Sequence, residues 1–99
     1  MLSNKELKYY SSLKHKKYRE QENKFLVEGF HLVEECLNSP YKIECIVIRD
    51  GVKLGEIKRL EGEIDKKKIP VYSLKPASFN KLAETKNSQG IIAMVSDRV

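Results

Sequence analysis

Lys24-Phe25-Leu26-Val27-Glu28-Gly29-Phe30-His31-Leu32-Val33-Glu34-Glu35-Cys36-Leu37 changes its hydrophobic period partway along. It begins as a short apolar run and turns at Glu28-Gly29. Beyond the glycine, Phe30, Val33 and Leu37 take helical spacing, and Leu32 and Cys36 widen the same face. Such a change of period across a glycine predicts strand, tight turn, helix. Glycine suits the turn because it tolerates backbone angles that other residues resist. A carboxylate just ahead of the helix complements the positive end of its dipole. By itself the stretch is the first crossover of a small α/β domain. Glu28 is the one carboxylate at a strand end, where sites in such folds often form; its ordinary role is a turn or capping contact.

Downstream, the two periods keep alternating. Asn38-Ser39-Pro40 ends the helix, since proline cannot continue it. Ile43-Glu44-Cys45-Ile46-Val47-Ile48 is apolar on both faces, as a central strand covered on both sides would be. Asp50-Gly51 closes that strand with a turn. Ile57, Leu60 and Ile64 predict a helix over 54–68, weakened by Gly55 and Gly62. Lys66-Lys67-Lys68 at its end favours the helix dipole, a role preferred here to RNA contact. Ile69 to Leu74 is the third strand, and Pro76 to Ala83 a short helix with Phe79, Leu82 and Ala83 inward. Glu84 to Gly90 is a polar loop, Ile91 to Val95 a fully buried fourth strand, and 96–99 the start of a linker. Helices between strands predict an α/β/α sandwich of four mainly parallel strands with layers on both faces.

Upstream, Leu2-Ser3-Asn4-Lys5-Glu6-Leu7 opens a further helix. Ser3 can cap, Glu6 can return the hydrogen bond, and Leu2 and Leu7 occupy staple positions. This helix reaches about Leu13 on a thin stripe of Leu7, Tyr10 and Leu13, and its tyrosines and lysines mark it as appended more than core. Lys14-His15-Lys16-Lys17-Tyr18-Arg19 then packs four cations, an imidazole and an aromatic ring into six residues. Cations neutralise phosphates and release counterions, tyrosine offers a stacking face for an unpaired base, and arginine can grip phosphate in a fork. The competing reading is a solvated loop whose tyrosine packs on the core, and the segment alone does not choose.

The chain has 99 residues, 40% apolar and 33% charged, which is one soluble domain. Its net charge of +5 is uneven. Residues 1–24 hold seven basic residues (Lys24 the last) against three acidic ones, a balance of +4; the other 75 hold twelve against eleven. Charge gathered at one end points to a polyanionic partner, although a solvated basic face is common. No run is long enough for a membrane span, and the first residues lack the apolar core of a secretory signal. Cys36 and Cys45 lie in apolar runs and read as reduced core residues of a cytoplasmic protein. His15 and His31 are isolated, so no zinc-ligand spacing occurs. There is no phosphate loop, no dinucleotide fingerprint and no nucleophile–base set, and Glu34 and Glu35 point apart on their helix.

Lys16-Lys17-Tyr18-Arg19, Phe25-Leu26-Val27-Glu28-Gly29, Leu32-Val33-Glu34-Glu35-Cys36-Leu37 and Gln89-Gly90-Ile91-Ile92-Ala93-Met94-Val95 occur in this order. Together they resemble the N-terminal substrate-binding domain of SpoU-type (TrmH-like) RNA 2′-O-ribose methyltransferases, over nearly the whole chain. The resemblance implies a fold like that of the kink-turn-binding ribosomal proteins and a role in holding RNA, usually ribosomal RNA. It also implies a following knotted SPOUT domain that binds S-adenosylmethionine, transfers the methyl group and forms the usual homodimer. No cofactor is expected in this chain, and nothing here matches the family's catalytic motifs. The expected organisation is a basic segment over 1–24, an RNA-binding domain over 25–95 and a linker start over 96–99.

By similarity to the kink-turn binders, RNA would meet Glu28-Gly29-Phe30-His31 and Lys86-Asn87-Ser88-Gln89-Gly90. Backbone N–H groups at a helix start can hold phosphate, and Asn87 and Gln89 can read base edges or a ribose hydroxyl. Glu28 departs from those binders, and no basic cluster stands beside it. The N-terminal cations, Lys14, Lys16, Lys17, Arg19 and Lys24, with Tyr18, therefore carry more of the expected grip. Two rivals remain: a free-standing ribosome-associated kink-turn binder, and a domain that docks the catalytic lobe and barely touches RNA.

Overall fold

The computed structural model describes residues 2–85 and 88–97. The chain runs α1 (Asn4–Ser12), α2 (Lys16–Glu22), β1 (Lys24–Glu28), α3 (Phe30–Leu37), β2 (Lys42–Arg49), α4 (Leu54–Lys66), β3 (Val71–Leu74), α5 (Pro76–Leu82) and β4 (Ile91–Ser96). One four-stranded sheet has the order β1-β4-β2-β3. β4 is antiparallel to both neighbours, and only β2 and β3 pair in parallel. The expectation of a mainly parallel sheet is therefore wrong, and the sheet is mixed. β1, β2 and β3 do share one direction, since β1 and β2 both oppose β4 and β3 runs parallel to β2. β4, reached through the loop after α5, enters between β1 and β2 running the other way.

Each face of the sheet carries its own helix layer and core. Phe30, Val33 and Leu37 of α3 and Leu60 and Ile64 of α4 pack on Ile43, Ile46, Ile48, Ile91, Ala93 and Val95. Leu7 and Tyr10 of α1, Leu13, and Phe79 and Leu82 of α5 pack on Cys45, Val47, Ile92 and Met94. Ile43 and Ile46 reach the same face despite an odd spacing because the β2–β4 register shifts between Ile43 and Cys45, skipping Glu44. Glu44 is thereby turned toward α1.

The first helix starts as its sequence predicts. Ser3 Oγ accepts from Glu6 N–H at 3.0 Å, and Glu6 Oε1 accepts from Ser3 N–H at 3.1 Å. It is not an appendage, however. Leu7, Tyr10 and Leu13 are all buried, with Leu13 only 1% exposed, so the thin stripe completes one of the two cores. The basic segment is no loop either: Lys16 to Glu22 form α2, which buries no residue and so shows no apolar period. Asn23 ends it in the left-handed region at φ 56°, with its N–H bonded to Arg19 O. Among the described residues, no helix is long and apolar enough to cross a membrane, and Cys36 and Cys45 are free thiols.

Candidate functional site

The ends of β1, β2 and β3 and the start of β4 meet at one end of the sheet. Backbone bonds tie their loops together there: Gly29 N–H to Ile91 O at 3.1 Å, Arg49 N–H to Gly90 O at 2.9 Å, and Asp50 N–H to Leu74 O at 2.8 Å. The turn before α3 and the loop before β4, 60 residues apart in sequence, thus form one surface. Phe30 N–H donates to Gln89 Oε1 at 2.8 Å, so a side chain from the distant loop caps α3. Gly29, at φ +103°, supplies the conformation and the room; a Cβ there would stand 3.2 Å from the same Gln89 oxygen. Glu84 N–H donates to Glu28 Oε1 at 3.1 Å, pinning the loop's other limb. Ser88 Oγ accepts from Gly90 N–H at 3.2 Å. A cleft of about 360 Å³ opens between Gly29, His31, Leu32, Thr85, Ser88 and Gln89. Lys86 and Asn87 lie outside the described residues.

Glu28, Gly29, Ser88 and Gln89 are therefore brought together, but their polar groups are partly spent on holding the two loops. Among the described residues the Gln89 amide nitrogen has no partner, and Glu28 makes a contact to the distant Glu84 backbone in place of the local turn or capping contact expected of it. Arg49 was not singled out in the sequence. Its Nη1 donates to Ser88 O at 3.3 Å while its guanidinium lies 5.6 Å from the centre of the Phe79 ring, so it braces the loop before β4. A basic residue closing an apolar strand gives no sequence signal for that contact.

The basic helix lies apart from these loops, beside β1. Lys16, Lys17 and Tyr18 are exposed, and Lys17 Nζ stands 5.7 Å from the Tyr18 ring centre. Among the described residues, Lys16 pairs only with Glu20, at 3.7 Å on the solvent side. Tyr18 does not pack on the core. Lys14 lines a second hollow with Lys8, His15 and Lys81 between α1 and α5, which extends the cationic surface beyond the run read in the sequence. Arg19 turns inward instead. Its Nη1 donates to Leu13 O at 3.1 Å and Lys14 O at 2.7 Å, closing carbonyls of the turn that joins α1 to α2.

Lys24 is likewise engaged. Its Nζ is 2.9 Å from Glu44 Oε2 and 3.0 Å from Tyr9 Oη, which also donates to Glu22 at 2.7 Å. Burial alone would lower the Lys24 pKa, but the bonds to Tyr9 and Glu44 outweigh it and hold it above the usual lysine value. Burial raises the Tyr9 and Tyr10 hydroxyls, and it pushes the Cys45 thiol up to about 11. None of these groups is activated for nucleophilic or acid–base work near neutral pH. Among the described residues, no three His, Cys, Asp or Glu side chains gather as a metal site.

Known proteins align with this architecture. One curated relative is the 23S rRNA (guanosine(2553)-2′-O)-methyltransferase RlmP of Bacillus subtilis, 34% identical over 91 residues. The alignment covers 92% of this chain but 34% of RlmP, so the chain spans about a third of that relative's length. A crystal structure of an RNA 2′-O ribose methyltransferase superposes with a TM-score of 0.82 at 22% identity, covering 98% of this chain and 37% of that one. A TrmH-family RNA methyltransferase structure from Porphyromonas gingivalis gives 0.74 at 26% identity, covering 100% and 37%. Residues 4–93 match the family model of the MRM3-like substrate-binding domain, and the chain belongs to that family, the substrate-binding domain of SpoU/TrmH-type RNA methyltransferases.

Proposed function

We propose that this domain holds and selects the RNA substrate of an S-adenosylmethionine-dependent rRNA 2′-O-ribose methyltransferase, whose catalytic SPOUT domain lies elsewhere in the same cytoplasmic, homodimeric protein. The observation that carries the reading is the match of residues 4–93 to a substrate-binding domain. The exposed cations of α2 and the paired loops give that role a physical basis. Lys14, Lys16 and Lys17 neutralise phosphates, and Tyr18 offers its ring to an unpaired base. Ser88 and the Gln89 amide nitrogen, with Lys86 and Asn87 between the described parts of the loop, contact base edges or ribose hydroxyls. Methyl transfer and cofactor binding are assigned to the catalytic domain.

A second reading, a docking lobe for that catalytic domain, is favoured by one observation. Arg19, Lys24 and Gln89, three expected RNA contacts, already spend donors or acceptors inside the domain. A titration of the 99-residue chain with rRNA fragments at several salt concentrations separates the two. Saturable binding that falls steeply with salt and is lost in Lys16→Glu/Lys17→Glu supports RNA holding. Absent binding, or binding indifferent to the charge reversal, leaves the docking lobe.

A further inference from the structure

β1 is an edge strand, and its open side differs in character from the rest of the surface. Gly29 N–H bonds Ile91 O, and Asp97 N–H bonds Asn23 O at 2.8 Å, so odd-numbered residues face β4 in the ladder. Alternation in an antiparallel pair then sends the N–H and C=O groups of Lys24, Leu26 and Glu28 outward. The register runs unbroken from Lys24 opposite Ser96 to Glu28 opposite Ile92. Among the described residues, no other segment bonds those outward groups. Edges of this kind are ordinarily covered, bulged or blocked by proline; this one borders a groove of about 730 Å³.

The groove is apolar in its walls and acidic in its charge. Phe25, Leu32, Cys36 and Tyr41 line one side, and Leu13 and Leu82, both buried in the core, lie behind the other. Leu32 is 51% and Tyr41 40% exposed. In a chain of net charge +5, the described charged groups here are Glu28, Glu35, Glu84 and a single cation, Arg19. That cation's Nη1 is already bonded to the Leu13 and Lys14 carbonyls. Among the described residues, Glu28 Oε2 is shut off from solvent without a hydrogen-bond partner, a costly state for a carboxylate oxygen.

We propose that this groove receives an extended, cationic segment of a protein chain, which adds to β1 as a fifth strand. Outward backbone groups ask for a backbone partner, and alternate side chains of an added strand reach the exposed Leu32 and Tyr41 on one face and Glu28 and Glu84 on the other. Three carboxylates disfavour a polyanion and favour a lysine or arginine beside Glu28. Five residues of β1 offer a track of about 17 Å at strand spacing. A second copy of the domain is a poorer occupant: its own β1 would bring Lys24, which is already tied to Glu44 at 2.9 Å, to meet Glu28.

The inference stands apart from RNA holding and is tested apart from it. The probe is an acetylated, amidated peptide of about seven residues alternating valine and lysine, with its valine–glutamate counterpart as control. Both are titrated against the ¹⁵N-labelled chain. The valine–lysine peptide should shift the Lys24, Leu26 and Glu28 amides and slow their exchange. The control should bind at least about tenfold more weakly. Leu32→Ser and Glu28→Gln should each weaken binding by several-fold, in variants whose melting confirms the fold. Added rRNA fragments should leave those three amides in place, whether or not RNA binds elsewhere. Equal binding of both peptides, shifts away from β1, displacement of the peptide by RNA, or protection of the three amides through self-association of the free chain would each overturn the proposal.

Discussion

Arg19 separates what the sequence allows from what the fold does. In the run Lys14 to Arg19 it has the best chemistry for phosphate, yet its Nη1 donates to Leu13 O and Lys14 O in the turn that joins α1 to α2. Removing it strips two charge-assisted bonds from the carbonyls of that turn. Each bond to a charged donor contributes about 1.5–3 kcal/mol. Here one nitrogen serves both acceptors at a half-buried site, so about 1.5 kcal/mol for the pair is the working figure. For a domain of this size that corresponds to a fall of roughly 6–12 °C in Tm. Lys16, whose side chain is 80% exposed, should by contrast cost less than about 0.5 kcal/mol on removal. The assay is thermal unfolding by circular dichroism of Arg19→Ala and Lys16→Ala/Lys17→Ala, beside fluorescence anisotropy with an rRNA fragment at a temperature where both are folded. The expected pattern is crossed: Arg19→Ala loses stability and keeps most RNA affinity, while the lysine variant does the reverse. An Arg19→Ala domain that melts with the wild type and loses RNA binding would refute the assignment.

Three further outcomes follow from the same geometry. Gln89→Ala removes the acceptor for Phe30 N–H and should lower stability by about 1 kcal/mol in urea titrations; an unchanged midpoint would mean that water caps α3 as well. Gly90→Ala puts a Cβ 2.3 Å from Val52 Cγ2 at φ +92° and should cost roughly 1–3 kcal/mol, only partly recovered by Val52→Ala because the backbone strain stays. Alkaline pH should unfold the domain early. Cys45 rises from 9.0 to about 11, and Tyr10 and Lys24 are also raised, so the folded state holds protons that the unfolded chain gives up. Stability from these groups is complete below about pH 9 and is lost as pH climbs through their folded values. Cys45→Ala should flatten the part of that decline between about pH 9 and 11, read as urea midpoints.

The elements with an apolar period were legible. Phe30 to Leu37 and Pro76 onward are helices because Val33, Leu37, Phe79 and Leu82 must face a core. α2 was not, because a helix that buries nothing has no period to read, and only its exposed lysines announced a function. The strands were found but not their order. Ile91 to Val95 is buried on both faces wherever it sits inside the sheet, so its sequence is silent on its neighbours and direction. The shift at Glu44 was hidden for a similar reason: a strand apolar on both faces shows no break in alternation. Gln89 and Arg49 owe their roles to contacts 59 and 39 residues away, and local pattern does not reach that far.

The expectation of a mainly parallel sheet left the direction of β4 open, and the topology decides it. A β4 parallel to β1 would begin at the opposite end of the sheet, where Lys24 and Lys42 lie. The loop before it would then be a strand's length away from Gly29. RNA meeting both the turn before α3 and the loop before β4 requires β4 to start where β1 and β2 finish. The observed strand does so: Glu28 stands opposite Ile92, and Ile48 opposite Ile91. The β4 entrance is clamped from both neighbours, by Gly29 N–H on Ile91 O and by Arg49 N–H on Gly90 O. The feature that makes the sheet mixed is thus the one that builds the two-loop surface, and a parallel sheet of the same strands would have taken it apart.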